Sequence, residues 1–178
     1  RSGGRELTEP KTGVALMSAA RNPLACTTAG WREWLALPDL GVSAIKAKLD
    51  TGARTSSLHA FDVHEIDVDG RPFVRFKVHP RQRSTSETLE ALAPLADRRS
   101  VRPSSGHSER RPVILTTVVL GGETWTIEVT LTRRDLMGFR MLLGRQAMRR
   151  RMIVDPARSY LLGQDPGRAR TGKKKKRR

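Results

Sequence analysis

The chain has 178 residues, a formal net charge of +16, 37% hydrophobic residues and only 4% aromatic residues. This length suits one domain with tails, and the composition supports one modest core. No apolar run approaches the roughly 20 residues that cross a bilayer, so no membrane-spanning helix is expected. The single cysteine, Cys26, excludes an internal disulfide and a multi-cysteine zinc module.

The two ends of the chain differ from the middle. Residues 1–29 have no clear pattern and are predicted to be a disordered linker. Residues 164–178 carry eight basic groups and one acidic group, so this tail is expected to be disordered, and it offers the one expected contact with nucleic acid. The lone thiol favours a reducing compartment such as the cytoplasm. Whether a leader sequence precedes Arg1 stays an open question.

The first half of the middle segment alternates between apolar and polar residues, which is typical of β-strands. Strands are predicted at 31–37, 42–49 and 58–68. Asp69-Gly70 is a hairpin signal, and residues 73–78 form the predicted returning strand.

The second half continues this pattern. The β-branched segment 112–120 and the alternating segment 123–131 predict a hairpin around Gly121-Gly122. A last hairpin is expected between 152–154 and 160–162, and one short helix at 146–151. The whole middle, 30–163, is therefore predicted to be one all-β domain, a small barrel or sandwich.

Residues 79–111 interrupt the strand pattern with three prolines and many arginines and serines. A stretch of this length inside a compact domain is usually functional or mobile, so we interpret it as a lid over the domain. A disordered insertion is the alternative. Ser84 and Glu87 have capping-box spacing, which predicts a short helix over 85–92.

The residues that point to chemistry are Asp50-Thr51-Gly52-Ala53, which follow an apolar strand. A tight turn presents the Asp at the strand end, Thr51 offers a hydroxyl to fix the loop, and Gly52 allows close approach of a substrate backbone. Aspartic proteolysis uses this arrangement. The short motif alone also fits an ordinary turn after a strand.

A second element lies downstream, where Met141-Leu142-Leu143 precedes Gly144-Arg145 and the predicted helix. With it, the chain resembles the retropepsin-like aspartic proteases. Residues 30–162 resemble a bacterial group of that family that has often carried the label ATP-dependent zinc protease. Three motifs carry the resemblance: DTGARTSSLHA (50–60), RRSVRPSSGHSERRPVI (98–114) and LTRRDLMGFRMLLGR (131–145).

The resemblance implies a small all-β acid-protease barrel with a flap and one short helix, acting as a homodimer. It makes Asp50 the catalytic residue, with Thr51 in interlocking hydroxyl contacts beneath the site and Gly52 against the substrate backbone. Gly144 and Arg145 are expected to brace the loop, and 79–111 to hold the flap. Substrate contacts are expected from the rest of the loop and from the flap: Ala53, Arg54, Ser104, Ser105 and Gly106.

One position departs from the family pattern. Retroviral relatives have an acidic residue four places after the catalytic Asp, where this chain has Arg54. The ion pair that this acid makes in those relatives cannot be assumed here. Three alternatives stay open for Arg145: a pair with Asp155, a pair with Asp135, or neither.

The zinc and ATP labels find little support in the residues. His64-Glu65 begins a zincin motif, but Val68 occupies the second histidine position. No phosphate-binding P-loop motif is present, and Ser104, Ser105 and Cys26 lack a nucleophile-elbow context. No cofactor or metal is therefore expected.

Two other functions compete with proteolysis. A basic nucleic-acid-binding β-domain explains the charge, but such domains use aromatic platforms, which are scarce here. The second alternative is a retropepsin-shaped interaction domain without catalytic activity.

We interpret the chain as an aspartic endopeptidase. Arg54 and the seven arginines of 79–111 favour acidic peptides, and relatives associated with glutamate ligases favour a glutamate-modified protein.

Overall fold

The computed structural model describes residues 26–82, 84–101, 109–133 and 138–163. In the first half, the elements are β1 (Thr27–Gly30), β2 (Arg32–Leu37), a 3-10 turn (Pro38–Leu40), β3 (Val42–Asp50), β4 (Ser56–His59), β5 (Phe61–Val68) and β6 (Arg71–Val78). In the second half, they are β7 (Leu89–Val101), β8 (Glu109–Leu120), β9 (Glu123–Thr132), β10 (Met141–Gly144), α1 (Arg145–Met148) and β11 (Met152–Asp155).

Six strands close into a barrel in the order β2-β3-β10-β4-β9-β8, and β8 returns to β2 through the pair Ala36–Val119. The strand β8 is long enough to have two neighbours on the same side. Its C-terminal part meets β2, whereas its N-terminal part pairs with β7. From β7 the sheet continues through β6 to β5, which form an extension beside the barrel. The predicted all-β barrel with one short helix is confirmed.

The core is formed by the inward side chains of these alternating strands. In β3, for example, Val42, Ile45, Ala47 and Leu49 are buried, while the residues between them are more exposed. The fully buried side chains come from both the barrel and the extension, with Phe76 the largest. The hydrophobic period of two, visible in the sequence, is the pattern that a half-buried strand requires.

Two of the elements predicted between β3 and β8 are wrong in detail. The segment 85–92 contains no helix, because Leu89 begins β7 and its alternate residues Ala91 and Ala93 pack into the core opposite β6. The carboxylate of Glu87 binds Arg81 instead of capping a helix. The predicted strand 58–68 is two strands, β4 in the barrel and β5 in the extension, separated at buried Ala60.

The predicted C-terminal hairpin is also wrong. β11 pairs in parallel with β1, which extends the domain to Thr27, inside the expected linker. Residues 158–162 instead attach to β2. Buried Glu33 accepts hydrogen bonds from the backbone N–H groups of Leu161 and Leu162, and Arg32 O accepts one from Tyr160 N. Pairing between distant segments decides these elements, and local alternation carries no information about it.

Several predictions fall outside the described residues. These are the disorder expected for 1–25 and for the basic tail 164–178, and the substrate contacts of Ser104, Ser105 and Gly106. Asp135, one candidate partner for Arg145, also lies outside them. In the described residues no helix is long and apolar enough to cross a membrane.

Candidate active site

The loop that carries Asp50 joins two strands that are not neighbours. β10 lies between β3 and β4, parallel to β3 and antiparallel to β4. The chain leaving β3 at Asp50 must therefore pass across the end of β10 before it enters β4 at Ser56. Gly144, the last residue of β10, pairs with Asp50 in register, so the two predicted motifs meet at one end of the barrel.

Gly144 fills the crossing point. A Cβ atom there would lie 2.5 Å from the carbonyl oxygen of Thr55 and 2.8 Å from the backbone nitrogen of Ser56, which is closer than real Cβ contacts allow. The backbone N–H of Gly144 donates to the buried Ser56 hydroxyl (3.1 Å), and the Thr130 hydroxyl donates to Ser56 O (3.0 Å). Sequence reasoning missed Ser56 and Thr130, because a serine within Thr55-Ser56-Ser57 carries no distinguishing pattern.

The start of α1 holds the other side of the loop. The backbone N–H groups of Arg145 and Gln146 donate to the carbonyl oxygens of Ala53 (2.9 Å) and Arg54 (3.1 Å). The Arg145 side chain adds a hydrogen bond from Nη1 to the carbonyl oxygen of Gly52 (3.2 Å). Three donors thus bind three successive loop carbonyls, which fixes the backbone after Asp50.

Arg145 does not pair with Asp155, one of its two expected partners. The Asp155 carboxylate binds Arg158 Nε at 2.6 Å and the backbone N–H of Ala157 at 2.8 Å. The hydrogen bond from Arg158 holds the pKa of Asp155 below its usual range. With no acidic residue at position 54, the guanidinium of Arg145 binds the loop backbone directly.

The Asp50 carboxylate is held by its own turn. Its Oδ1 atom accepts hydrogen bonds from the backbone N–H groups of Gly52 and Ala53, both at 3.1 Å. Its Oδ2 atom lies 3.7 Å from Lys48 Nζ, and the side chain is 26% exposed. The carboxylate therefore has a fixed orientation and remains accessible. Within the described residues, no second carboxylate makes a hydrogen bond with it.

A groove of about 620 Å³ opens next to this loop. Its apolar part is made by Met148, Met152 and Val154, and its polar part includes Thr51 and three arginines, Arg54, Arg145 and Arg149. Thr51 and Gly52 are exposed at its edge. In the described part of the chain, none of these arginines forms an ion pair with a carboxylate. The groove thus combines an apolar floor with unneutralised positive charge beside Asp50.

The segment 79–111 supplies the outer part of a β-hairpin. β7 and β8 pair from Leu95–Ile114 to Val101–Glu109, and the tip lies outside the described residues. Four arginines expected to make this segment basic are already paired with carboxylates: Arg81 with Glu87, Arg98 with Glu65, Arg99 with Asp97 and Glu128, and Arg111 with Glu109. The positive charge of these four arginines is therefore offset by neighbouring carboxylates.

The described histidines do not converge. The Phe61 ring stacks on His79 with centroids 4.5 Å apart and lies 6.4 Å from the His59 ring, whereas His64 binds Asp62. Among the described residues, no group of three or more His, Cys, Asp or Glu side chains is arranged to hold a metal ion.

Comparison with known proteins adds independent information. Residues 28–165 match the RimB-like family, described as the retropepsin-like aspartic endopeptidase RimB. The chain is 49% identical over 135 residues to a probable alpha-L-glutamate ligase of Shewanella pealeana, and 50% identical over 134 residues to one of Parasynechococcus marenigrum. These matches cover 76% and 75% of this chain but only 30% and 29% of those proteins.

A solved structure is also similar. The crystal structure of a Legionella pneumophila protein of unknown function matches with a TM-score of 0.67 and 31% sequence identity. The match covers 78% of this chain and 99% of that one.

Proposed function

The chain belongs to the RimB-like family of retropepsin-like aspartic endopeptidases, and we propose that it hydrolyses peptide bonds with a water activated by two Asp50 carboxylates in a homodimer. The observation that carries this proposal is the Asp50 loop itself. An accessible carboxylate is oriented by two backbone N–H groups, and the loop is fixed by Gly144, Arg145 and Gln146.

The chemistry requires a second carboxylate. Two carboxylates a few Å apart cannot both ionise cheaply, so they share one proton. The ionised one takes a proton from a water molecule, whose oxygen attacks the scissile carbonyl carbon. The protonated one donates to the developing oxyanion and, as the intermediate breaks down, a proton passes to the leaving amine.

A second copy of the chain supplies that carboxylate. The sequence has one Asp-Thr-Gly, and a two-fold axis beside the loop brings the partner's Asp50 to the same site. Thr51 and Gly52 are exposed next to a groove with an apolar floor, which is the kind of surface that a subunit interface covers. We place the dimer contact on this side of the barrel.

The ligase name of the relatives does not require ligase activity here. The chain spans about 30% of the length of those proteins, and the matched stretch of 135 residues is close in length to the segment 28–165 that matches the endopeptidase family. We assign the ligase activity to the remaining 70% of those proteins. A protease domain fused to a glutamate ligase favours a substrate that carries glutamate, either an acidic peptide or a glutamate-modified protein.

Substitution of Asp50 tests the proposal. Asp50→Asn keeps the shape and the two accepted hydrogen bonds but removes the proton that the pair shares. Wild type is expected to cleave members of an acidic peptide library, and Asp50→Asn to lose at least about 1000-fold in kcat/KM. Equal cleavage by both proteins, or none by a correctly folded wild type, would count against catalysis at this site.

The charge of the substrate tests the role of Arg54, whose side chain lines the groove beside Thr51. Peptides that differ only in one Glu or Gln near the scissile bond are compared at low and moderate salt. A direct contact predicts that the Glu preference persists in salt and disappears in Arg54→Gln, whereas general steering weakens with salt. Arg71→Gln, on the exposed hairpin, is the matched control. Equal rates for Glu and Gln peptides would remove Arg54 from substrate recognition.

A further inference from the structure

A second group of cations lies on the same barrel face as Asp50. Residues two apart on a strand share a face, so Lys46 and Lys48 of β3 lie on the same face of the sheet as Asp50. In the neighbouring strand β2, Arg32 pairs with Lys48 and Trp34 pairs with Lys46. This face therefore continues from Asp50 through Lys48 and Arg32 to Lys46.

These cations border a cavity of about 380 Å³ whose lining residues are Arg32, Lys46, Gln82, Gly138 and Phe139. The β2–β3 face provides the two cations. The other walls come from Gln82, which follows β6, and from Gly138 and Phe139, which precede β10. The cavity is thus separate from the groove beside Thr51, and none of its lining residues has a role in the activity proposed above.

Aromatic rings hold both cations in place. The Arg32 guanidinium lies 4.6 Å from the Trp31 ring centroid and 5.2 Å from that of Tyr160, and its Nε atom donates to the Ser159 hydroxyl at 3.0 Å. Lys46 Nζ lies 5.5 Å from the Trp34 ring and 5.7 Å from the Tyr160 ring. The rings fix the positions of the cations without neutralising them.

The site also has unused binding capacity. In the described ranges, no carboxylate forms an ion pair with Arg32 or Lys46, whereas four arginines of the neighbouring hairpin segment are paired. Two oriented cations in one concave site suit a ligand that carries a carboxylate, such as the side chain of an acidic peptide.

We propose that Arg32 and Lys46 form a carboxylate-binding subsite that selects an acidic residue of the substrate at a distance from the bond that is cut. Lys46 lies four residues before Asp50 on β3, which corresponds to about 13 Å at the usual strand rise. An extended peptide covers that distance in about four residues. This subsite rests on the proposed peptidase function and adds a specificity determinant outside the catalytic loop.

The kinetic test uses peptides in which one Glu, moved along the sequence, is compared with Gln. Wild type should prefer Glu about tenfold at a position about four residues from the cleaved bond. Lys46→Gln and Arg32→Lys should lose that preference, mainly through KM, while cleavage of the Gln peptide stays unchanged. Arg71→Gln should behave as wild type. Equal loss on both peptides, or a retained preference, would overturn the subsite.

A binding test separates the subsite from catalysis. Trp31 and Trp34, two of the three tryptophans, touch the cations of the subsite. Titration of Asp50→Asn with tetraglutamate should therefore change the tryptophan fluorescence, and Lys46→Gln in the same background should weaken binding about tenfold. Lys46-dependent binding without cleavage by wild type would support the subsite and refute the peptidase. Cleavage that depends on Asp50, together with binding that does not depend on Lys46, would support the peptidase and refute the subsite.

Discussion

At the scale of single residues, Gly144 and Asp50 depend on each other. The Asp50 loop can cross β10 because Gly144 has no side chain, and the hydrogen bond from Gly144 to Ser56 holds the loop where it enters β4. Both residues could be singled out from the sequence, because each belongs to a motif of consecutive residues. The contacts of Ser56 and the backbone partner of Arg145 could not, because they arise only when distant strands come together.

Gly144→Ala should destabilise the domain by at least about 2 kcal/mol, roughly 4–8 °C in Tm, because the added methyl group overlaps the backbone of Thr55. Thermal unfolding followed by circular dichroism measures this. Gly41→Asn is the control, since that glycine has open space around it and a left-handed φ of 68° that Asn tolerates. A change in Tm within about 1 °C for Gly144→Ala would show that the loop is not packed as described.

At the scale of elements, alternation of polar and apolar residues located most strands, including β3, β6, β8 and β9. This alternation did not locate the elements whose pairing partners are distant in the sequence. The capping-box spacing at Ser84 predicted a helix, but the segment leads into β7, which pairs with β6. β1 has almost no hydrophobic pattern, and its position follows from its parallel partner β11. Long-range pairing supplies the stabilisation that local propensity lacks at these places.

The hairpin formed by β5 and β6 is predicted to weaken in acid. The side-chain hydrogen bond from Lys77, with a second from His64, lowers the pKa of Asp62 to about 2. Because this pKa is depressed relative to the unfolded chain, ionised Asp62 stabilises the hairpin above about pH 4, and this contribution is lost as the pH falls towards 2.

Amide hydrogen exchange of β5 and β6 between pH 5 and 2 tests this, after correction for the intrinsic pH dependence of exchange. Wild type should lose protection over that range. Asp62→Asn should be less protected at pH 5 and change less, since Asn tolerates the left-handed backbone at this position (φ 53°). Identical profiles for the two proteins would show that the ion pair does not stabilise the hairpin.

At the scale of the whole molecule, the barrel places two basic sites on the same side as Asp50. One is the groove with Arg54, Arg145 and Arg149, and the other is the cavity with Arg32 and Lys46. The net charge of +16 is therefore not only a property of the C-terminal tail. Part of it is arranged around the candidate active site, where a positive potential attracts negatively charged ligands in general.

Peptidase activity should not depend on a metal ion or on ATP, because the carboxylate pair alone activates the water. Cleavage of an acidic peptide is compared with and without EDTA, and with and without ATP, in metal-free buffer. The expected rates are equal. Loss of activity with EDTA that zinc restores would favour a metallopeptidase instead.

The central claim, that each active site uses Asp50 from two copies, is tested most directly by mixing wild type with Asp50→Asn. The two proteins are allowed to exchange subunits at a fixed total concentration, and the cleavage rate is measured against the wild-type fraction. If both carboxylates are required, mixed dimers are inactive and the rate falls as the square of that fraction, to about one quarter in an equal mixture. A linear fall, to about one half, would contradict the shared site.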